Sequence, residues 1–150
     1  LIPSFKPGMS QADCEVLIRK EFAGQGIKKM WHPTKFRLGS DTVKAFNESS
    51  SKEQVIADGE ICFVDVGPIF AGHEADYGRS FVVGSDNSRL KRMVHASEDI
   101  FQKCVRFWDA EKRNGVELLA YAKDLAKAYG YSLTPVMAGH RVGDFPHKLY

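Results

Sequence analysis

The 150-residue chain has few cysteines, little net charge and no long apolar run, and each shortage closes a class of function. Its three cysteines, Cys14, Cys62 and Cys104, are far apart, and no Cys-x-x-Cys occurs. Neither a zinc ribbon nor a dithiol redox pair is supported, and reduced, mostly buried thiols in a cytoplasmic protein are expected. The net charge of +2 is too small to argue for a nucleic-acid partner, and the lysines and arginines form no stripe. Arg89, Lys91 and Arg92, near a predicted helix start, read as a solvated face. No apolar run approaches the length of a membrane span, so no membrane partner is expected. No signal-peptide pattern opens the chain. It starts on Leu1 rather than Met, as a processed or trimmed product would.

What is present is one domain's worth of ordinary globular sequence, 43% hydrophobic and 27% charged. Pro7-Gly8 marks a turn, and Ser10 with Asp13 has the form of a helix-starting capping box. Cys14, Leu17, Ile18 and Phe22 form one apolar stripe, ended by Gly24 and Gly26. Lys35 to Leu38 predicts a short strand, followed by Gly39-Ser-Asp-Thr42 and a polar loop over 47–52. After residues 84–87 a long helix is predicted, with Leu90, Met93, Val94, Ser97, Phe101, Cys104, Val105 and Trp108 as a core-facing stripe. Asn114-Gly115 breaks it. A second helix is expected over 116–129, with Gly130 at its end, and then a strand from Tyr131 to Met137.

The chemistry concentrates between Ile61 and Val83. Two apolar, β-branched flanks surround a turn at Gly72, which reads as a β-hairpin. In such a hairpin the numbers of opposed residues add to a constant. Pairing Asp65 with Asp76 makes that constant 141 and centres the turn between Phe70 and Ala71. The two carboxylates would then share a face with Cβ atoms roughly 4.5–5.5 Å apart. Like charges so close in an apolar setting need a proton or a cation between them. One or two divalent metals answer that need. The alternative is that one aspartate lies outside the strand and caps a turn, with no metal. Asp65 fits that alternative poorly, because it interrupts Phe-Val-Asp-Val, where strand propensity disfavours it and burial of a lone charge is costly.

Two histidines, His140 and His147, fall in a glycine-bounded loop near the end of the chain. They are surface imidazoles, or they join the aspartates. Oxygen ligands with an imidazole suit Mn, Co, Fe or Zn in a hydrolytic site. His32, beside Trp31 and Pro33, reads as structural. His73 either lines the pocket or does not, and His95 in the long helix is unrelated to the chemistry.

Together these residues resemble the pita-bread metallopeptidase family of methionine aminopeptidase, aminopeptidase P and the Xaa-Pro dipeptidases. Asp65 and Asp76 are eleven positions apart, as are that family's first two metal ligands. Asp76-Tyr-Gly-Arg-Ser-Phe81 and Gly139-His-Arg-Val-Gly143 are similar to its next two motifs, and His147 follows His140 by seven. Lys6-Pro-Gly-Met-Ser10 and Gly39-Ser-Asp-Thr42 also look like family landmarks. Trp31-His-Pro33 and Phe-Val-Asp-Val-Gly-Pro resemble the Xaa-Pro branch.

The resemblance implies an α/β (α+β) pita-bread fold over residues 1–150, a curved antiparallel sheet with flanking helices. It implies a metal-dependent exopeptidase acting on a peptide substrate. Two divalent ions would be held by Asp65, Asp76 and His140, and His147 would contact substrate. Arg79 would stabilise local carboxylates or make a structural ion pair. The family completes its site with two glutamates in a final pair of strands that this sequence does not reach. A partial catalytic domain is therefore expected, with three of five ligands, weak or absent metal binding and no activity alone. An exposed apolar edge, with dimerisation or poor solubility, is expected as well. The position where many members carry a proton-transferring histidine falls on Phe46. That substitution supports an alternative reading, a catalytically silent module that binds peptides or proteins. A metal-free enzyme on the same fold, like creatinase, is a third.

Overall fold

The computed structural model describes residues 1–51, 53–111, 113–134 and 139–146. The chain divides into two compact units, Leu1–Asn87 with His140–Tyr150, and Ser88–Gly139.

In the first unit a 3-10 turn at Ile2–Ser4 precedes α1 (Gln11–Gly24), which is started by the expected capping box. The Ser10 hydroxyl accepts from the Asp13 N–H at 3.1 Å, and the Asp13 carboxylate accepts from the Ser10 N–H at 3.2 Å. These reciprocal bonds satisfy helix-end donors that would otherwise need water. Strands β1 (Lys35–Leu38), β2 (Glu60–Val66) and β5 (Tyr77–Val83) form an antiparallel sheet in the order β1-β2-β5. Between β2 and β5, the short strands β3 (Ile69–Phe70) and β4 (His73–Glu74) pair with each other.

Side-chain alternation divides the sheet into two faces of opposite character. Phe36, Leu38, Cys62, Val64 and Phe81 point into the core, against Phe5, Cys14, Ile18 and Ile56. The Phe5 ring lies 4.8 Å from Phe36 and 5.4 Å from Phe81 between centroids. Burial raises the thiols of Cys14 and Cys62 to about 11 and about 12, so both are unreactive apolar filling. The opposite face carries Lys35, Arg37, Phe63 and Asp65.

The hairpin register corrects the sequence reading by two residues. Asp65 opposes Gly78, not Asp76, and the turn is centred between Ala71 and Gly72. Both turn residues have positive φ, 50° and 84°, which tight two-residue hairpin turns demand. A slip of one would have put the aspartates on opposite faces. A slip of two leaves Asp65 and Asp76 diagonal neighbours on the same face.

Arg37 organises the loop after β1. It is 3% exposed, and its guanidinium donates to the carbonyls of Ala45 (2.6 Å), Glu48 (2.9 Å), Phe46 (3.4 Å) and Lys44. Among the described residues this segment pairs with no strand, so one planar cation does the work of a ladder.

The segment 140–146 docks on the hairpin tip through the backbone. The Glu74 N–H donates to the Gly143 carbonyl at 2.7 Å, and the Phe145 N–H donates to the Gly72 carbonyl at 2.8 Å.

The second unit is a helical hairpin of α2 (Ser88–Glu111) and α3 (Gly115–Ala128). Asn114 is more than a break. Its side chain accepts from the N–H groups of Val116 and Glu117, both at 3.0 Å, and caps α3. Phe107 stacks on Tyr121 at 4.1 Å, which fixes the antiparallel pairing. The predicted apolar stripe of α2 is corrected. Ala96 and Ile100 are buried, whereas Phe101, Val105 and Trp108 are exposed. At 100° per residue the buried face is turned roughly a quarter of a circle from the predicted one. Tyr131 to Thr134 form no strand, and residues 135–137 of that prediction lie outside the described residues.

Replacing Arg37 by Met leaves its acceptor carbonyls without their cation. The expected loss is on the order of 3 kcal/mol in urea unfolding of the intact protein, and Arg37→Lys recovers only part of it. A loss of less than about 0.5 kcal/mol for the methionine variant would show that the loop is held by something else.

Candidate metal centre

Four side chains converge on the polar face of the sheet, and they come from four stretches of chain. Asp65 projects from β2. Asp76 sits in the link just before β5, opposite the point where the long ladder is interrupted. Pro68 has no N–H to give there. A third segment fills the gap. The Trp31 N–H donates to the Gly67 carbonyl at 2.9 Å, and the Ile69 N–H donates to the Lys29 carbonyl at 3.0 Å. The Trp31 indole N–H then reaches across to the Ala75 carbonyl at 2.8 Å, so one residue fastens both arms of the hairpin.

This fastening carries His32 to the carboxylates. His32 Nε2 lies 3.8 Å from Asp65 Oδ1 and 3.8 Å from Asp76 Oδ1. One donor atom from each of the three residues falls within 4.8 Å of the others. His32, read from sequence as structural, has a side chain 9% exposed that faces the acidic pair. His140 approaches from the docked segment and places Nε2 3.0 Å from Asp76 Oδ2. Its ring meets Trp31 edge-on at 5.4 Å.

Burial pushes the Asp65 carboxyl above its ordinary range. Asp76 pushes it further, while His32, Arg37 and Lys35 pull the other way. The net upward direction marks a site that accommodates negative charge poorly as it stands. Two carboxylates and two imidazoles form a mixed oxygen and nitrogen donor set, which fits Mn, Co, Fe or Zn and suits Mg or Ca less well.

Of the residues singled out from sequence, Asp65 and Asp76 come together and His140 reaches Asp76, while His147 lies outside the described residues. His73 is at the hairpin tip with a side chain 70% exposed, paired to Asp144 at 2.6 Å. Arg79 donates to the Tyr77 hydroxyl at 3.3 Å, and its strand partner Val64 belongs to the core face, opposite that of Asp65. His95 is an exposed residue of α2. Phe46 packs edge-on against His32, with ring centroids 5.5 Å apart. The missed residue is His32. Only the long-range Trp31 bridge brings it into place, and no local pattern encodes that bridge.

The family model described as Metallopeptidase family M24 matches residues 1–149. Methionine aminopeptidase of Aquifex aeolicus is 24% identical over 153 residues, covering 95% of this chain and 59% of the relative. Methionine aminopeptidase 2 of Bacillus subtilis is 28% identical over 99 residues, covering 65% of this chain and 39% of the relative. Among solved structures, a methionine aminopeptidase from Thermotoga maritima superposes with a TM-score of 0.80 at 19% identity, covering 99% of this chain and 61% of that one. An aminopeptidase P variant from Escherichia coli gives 0.70 at 18% identity, covering 84% of this chain and 28% of that one. The fold is therefore the mixed helix and antiparallel-sheet pita-bread fold, present in part, since the chain spans between 28% and 61% of these relatives. With a family model matched along nearly its whole length, the chain belongs to the M24 metallopeptidase family.

Proposed function

We propose that the intact protein is a metal-dependent exopeptidase that hydrolyses an N-terminal peptide bond. The observation that carries this reading is the meeting of Asp65 and Asp76 on one sheet face, with His140 Nε2 3.0 Å from Asp76. Asp65 and Asp76 are diagonal neighbours whose mutual repulsion favours cation capture, and His140 adds a nitrogen donor. When bound, divalent ions polarise the scissile carbonyl and activate water near neutral pH. The protein's part is to hold the donors rigid. Trp31 locks the hairpin arms that carry both aspartates, and the 140–146 segment fixes His140 through main-chain bonds. His147 is assigned a hydrogen bond to substrate or to the tetrahedral intermediate.

The preferred bond is read as Xaa-Pro. Trp31-His-Pro33, the stretch that resembles the Xaa-Pro branch, borders the site. The matched methionine aminopeptidases make release of an initiator methionine the competing specificity. A second reading, a silent peptide-binding module, is favoured by Phe46 at the position where the resemblance expects a histidine.

Calorimetric titration of the intact protein with Mn²⁺ or Co²⁺ should show micromolar or tighter binding, and Asp76→Ala should weaken it by more than about 100-fold. The wild type should release the first residue from Xaa-Pro peptides faster than from Met-Ala peptides. The reverse order would move the protein to the methionine aminopeptidase branch. An inactive protein that ignores metal yet binds peptides would establish the module.

A further expectation concerns the metal-free protein. The folded-state pKa of Asp65 is raised, so its ionised form costs stability at any pH above that value. The cost fades as pH falls and is gone below the unfolded carboxylate pKa. Asp65→Asn should therefore raise the melting temperature of the metal-free protein at pH 7 while abolishing metal binding. The stabilisation should vanish near pH 3 in parallel thermal melts. A variant that melts no higher than wild type at pH 7 would mean the carboxylate is better solvated than its burial implies.

A further inference from the structure

We infer that His32 is a metal ligand of this site, a second imidazole delivered from the segment before β1. The inference rests on the metal reading above and adds to it a residue to which the resemblance assigns no metal role.

Distance is the first argument. His32 Nε2 stands 3.8 Å from an oxygen of each aspartate, too far for a hydrogen bond to either. The histidine pair outside the site behaves differently: His73 closes on Asp144 to 2.6 Å. An imidazole acting only as an ion-pair partner would move onto one carboxylate in the same way. Donors that share an ion at bond lengths of about 2.0–2.2 Å lie roughly 3–4 Å from one another. The equal gaps to Asp65 and Asp76 are the spacing of that arrangement.

Orientation is the second. His32 Nδ1 lies 3.0 Å from the Pro33 carbonyl, which can only accept, so Nδ1 carries the hydrogen. Nε2 is then the nitrogen turned to the acidic pair. An outer hydrogen bond from the distal ring nitrogen to a backbone carbonyl is the usual support of a metal-binding histidine.

Confinement is the third. Trp31 meets the His32 ring edge-on at 4.4 Å, and Phe46 does so at 5.5 Å. On the remaining side is Gly67. A Cβ there would fall 2.5 Å from His32 Nε2 and 2.6 Å from Trp31 Nε1, which no real contact tolerates. The glycine two residues after Asp65 is thus the notch that admits the imidazole. Phe46 is the wall behind that imidazole, which accounts for an aromatic at this position.

The test uses the intact protein and Co²⁺, read by visible absorption and calorimetry. His32→Ala and His32→Gln should each weaken Co²⁺ binding by at least about 10-fold and alter the d–d bands. Gly67→Ala removes no donor, and it should weaken binding as well by expelling the ring. Wild-type affinity and an unchanged spectrum in His32→Gln, with binding lost in Asp76→Ala, would overturn the ligand role while leaving the metal site intact. Absence of Co²⁺ binding in the wild type would overturn both readings. Should the His32 variants fail to fold, ¹⁵N-imidazole spectra of the wild type titrated with Zn²⁺ decide the matter. The His32 Nε2 resonance should shift on saturation, and an unmoved resonance overturns the inference.

Discussion

Two carboxylates that repel each other on one face of a sheet set the design of the first unit. Asp65 and Asp76 are kept together by forces that have nothing to do with their own interaction. The apolar face beneath them is packed by Phe36, Val64 and Phe81, and the hairpin arms are tied by Trp31. The stability of the core and the discomfort of the site are thus carried by opposite sides of the same three strands. The rigidity that packing supplies is what lets an unfavourable arrangement persist.

The site is also assembled late in the logic of the chain. His32, Asp65, Asp76 and His140 span more than a hundred residues, and each arrives on a different element. No pair among them is close through local structure alone except the two aspartates. Contacts of such long sequence separation form only when most of the fold is in place. A cation that needs all four would bind the finished unit and not a fragment of it.

What could be read from the sequence followed from short-range physics. The capping box at Ser10, strand β1 and the shared face of the aspartates all follow from alternation, propensity or a few neighbouring side chains. The hairpin register differs by two from one that sets the aspartates directly opposite each other. The turn's own demand for positive φ at Ala71 and Gly72 fixes it elsewhere. The buried face of α2 was misjudged because its apolar residues cover a wide arc, and periodicity cannot say which part of that arc meets protein. The role of Arg37 and the placement of His32 are illegible in the sequence for a common reason. Each does its work through backbone carbonyls or distant side chains, and residue type alone does not announce such partners.

The docking of 140–146 on the hairpin tip has a consequence for how this site can vary. Its main-chain anchors, from Glu74 to Gly143 and from Phe145 to Gly72, are supplemented by the His73–Asp144 ion pair, and none of these uses the side chain of Val142. Val142, 45% exposed in that span, can change character without loosening the imidazole two positions earlier. The loop is a rail with interchangeable fittings: the imidazole end stays put while its outer surface is free to change.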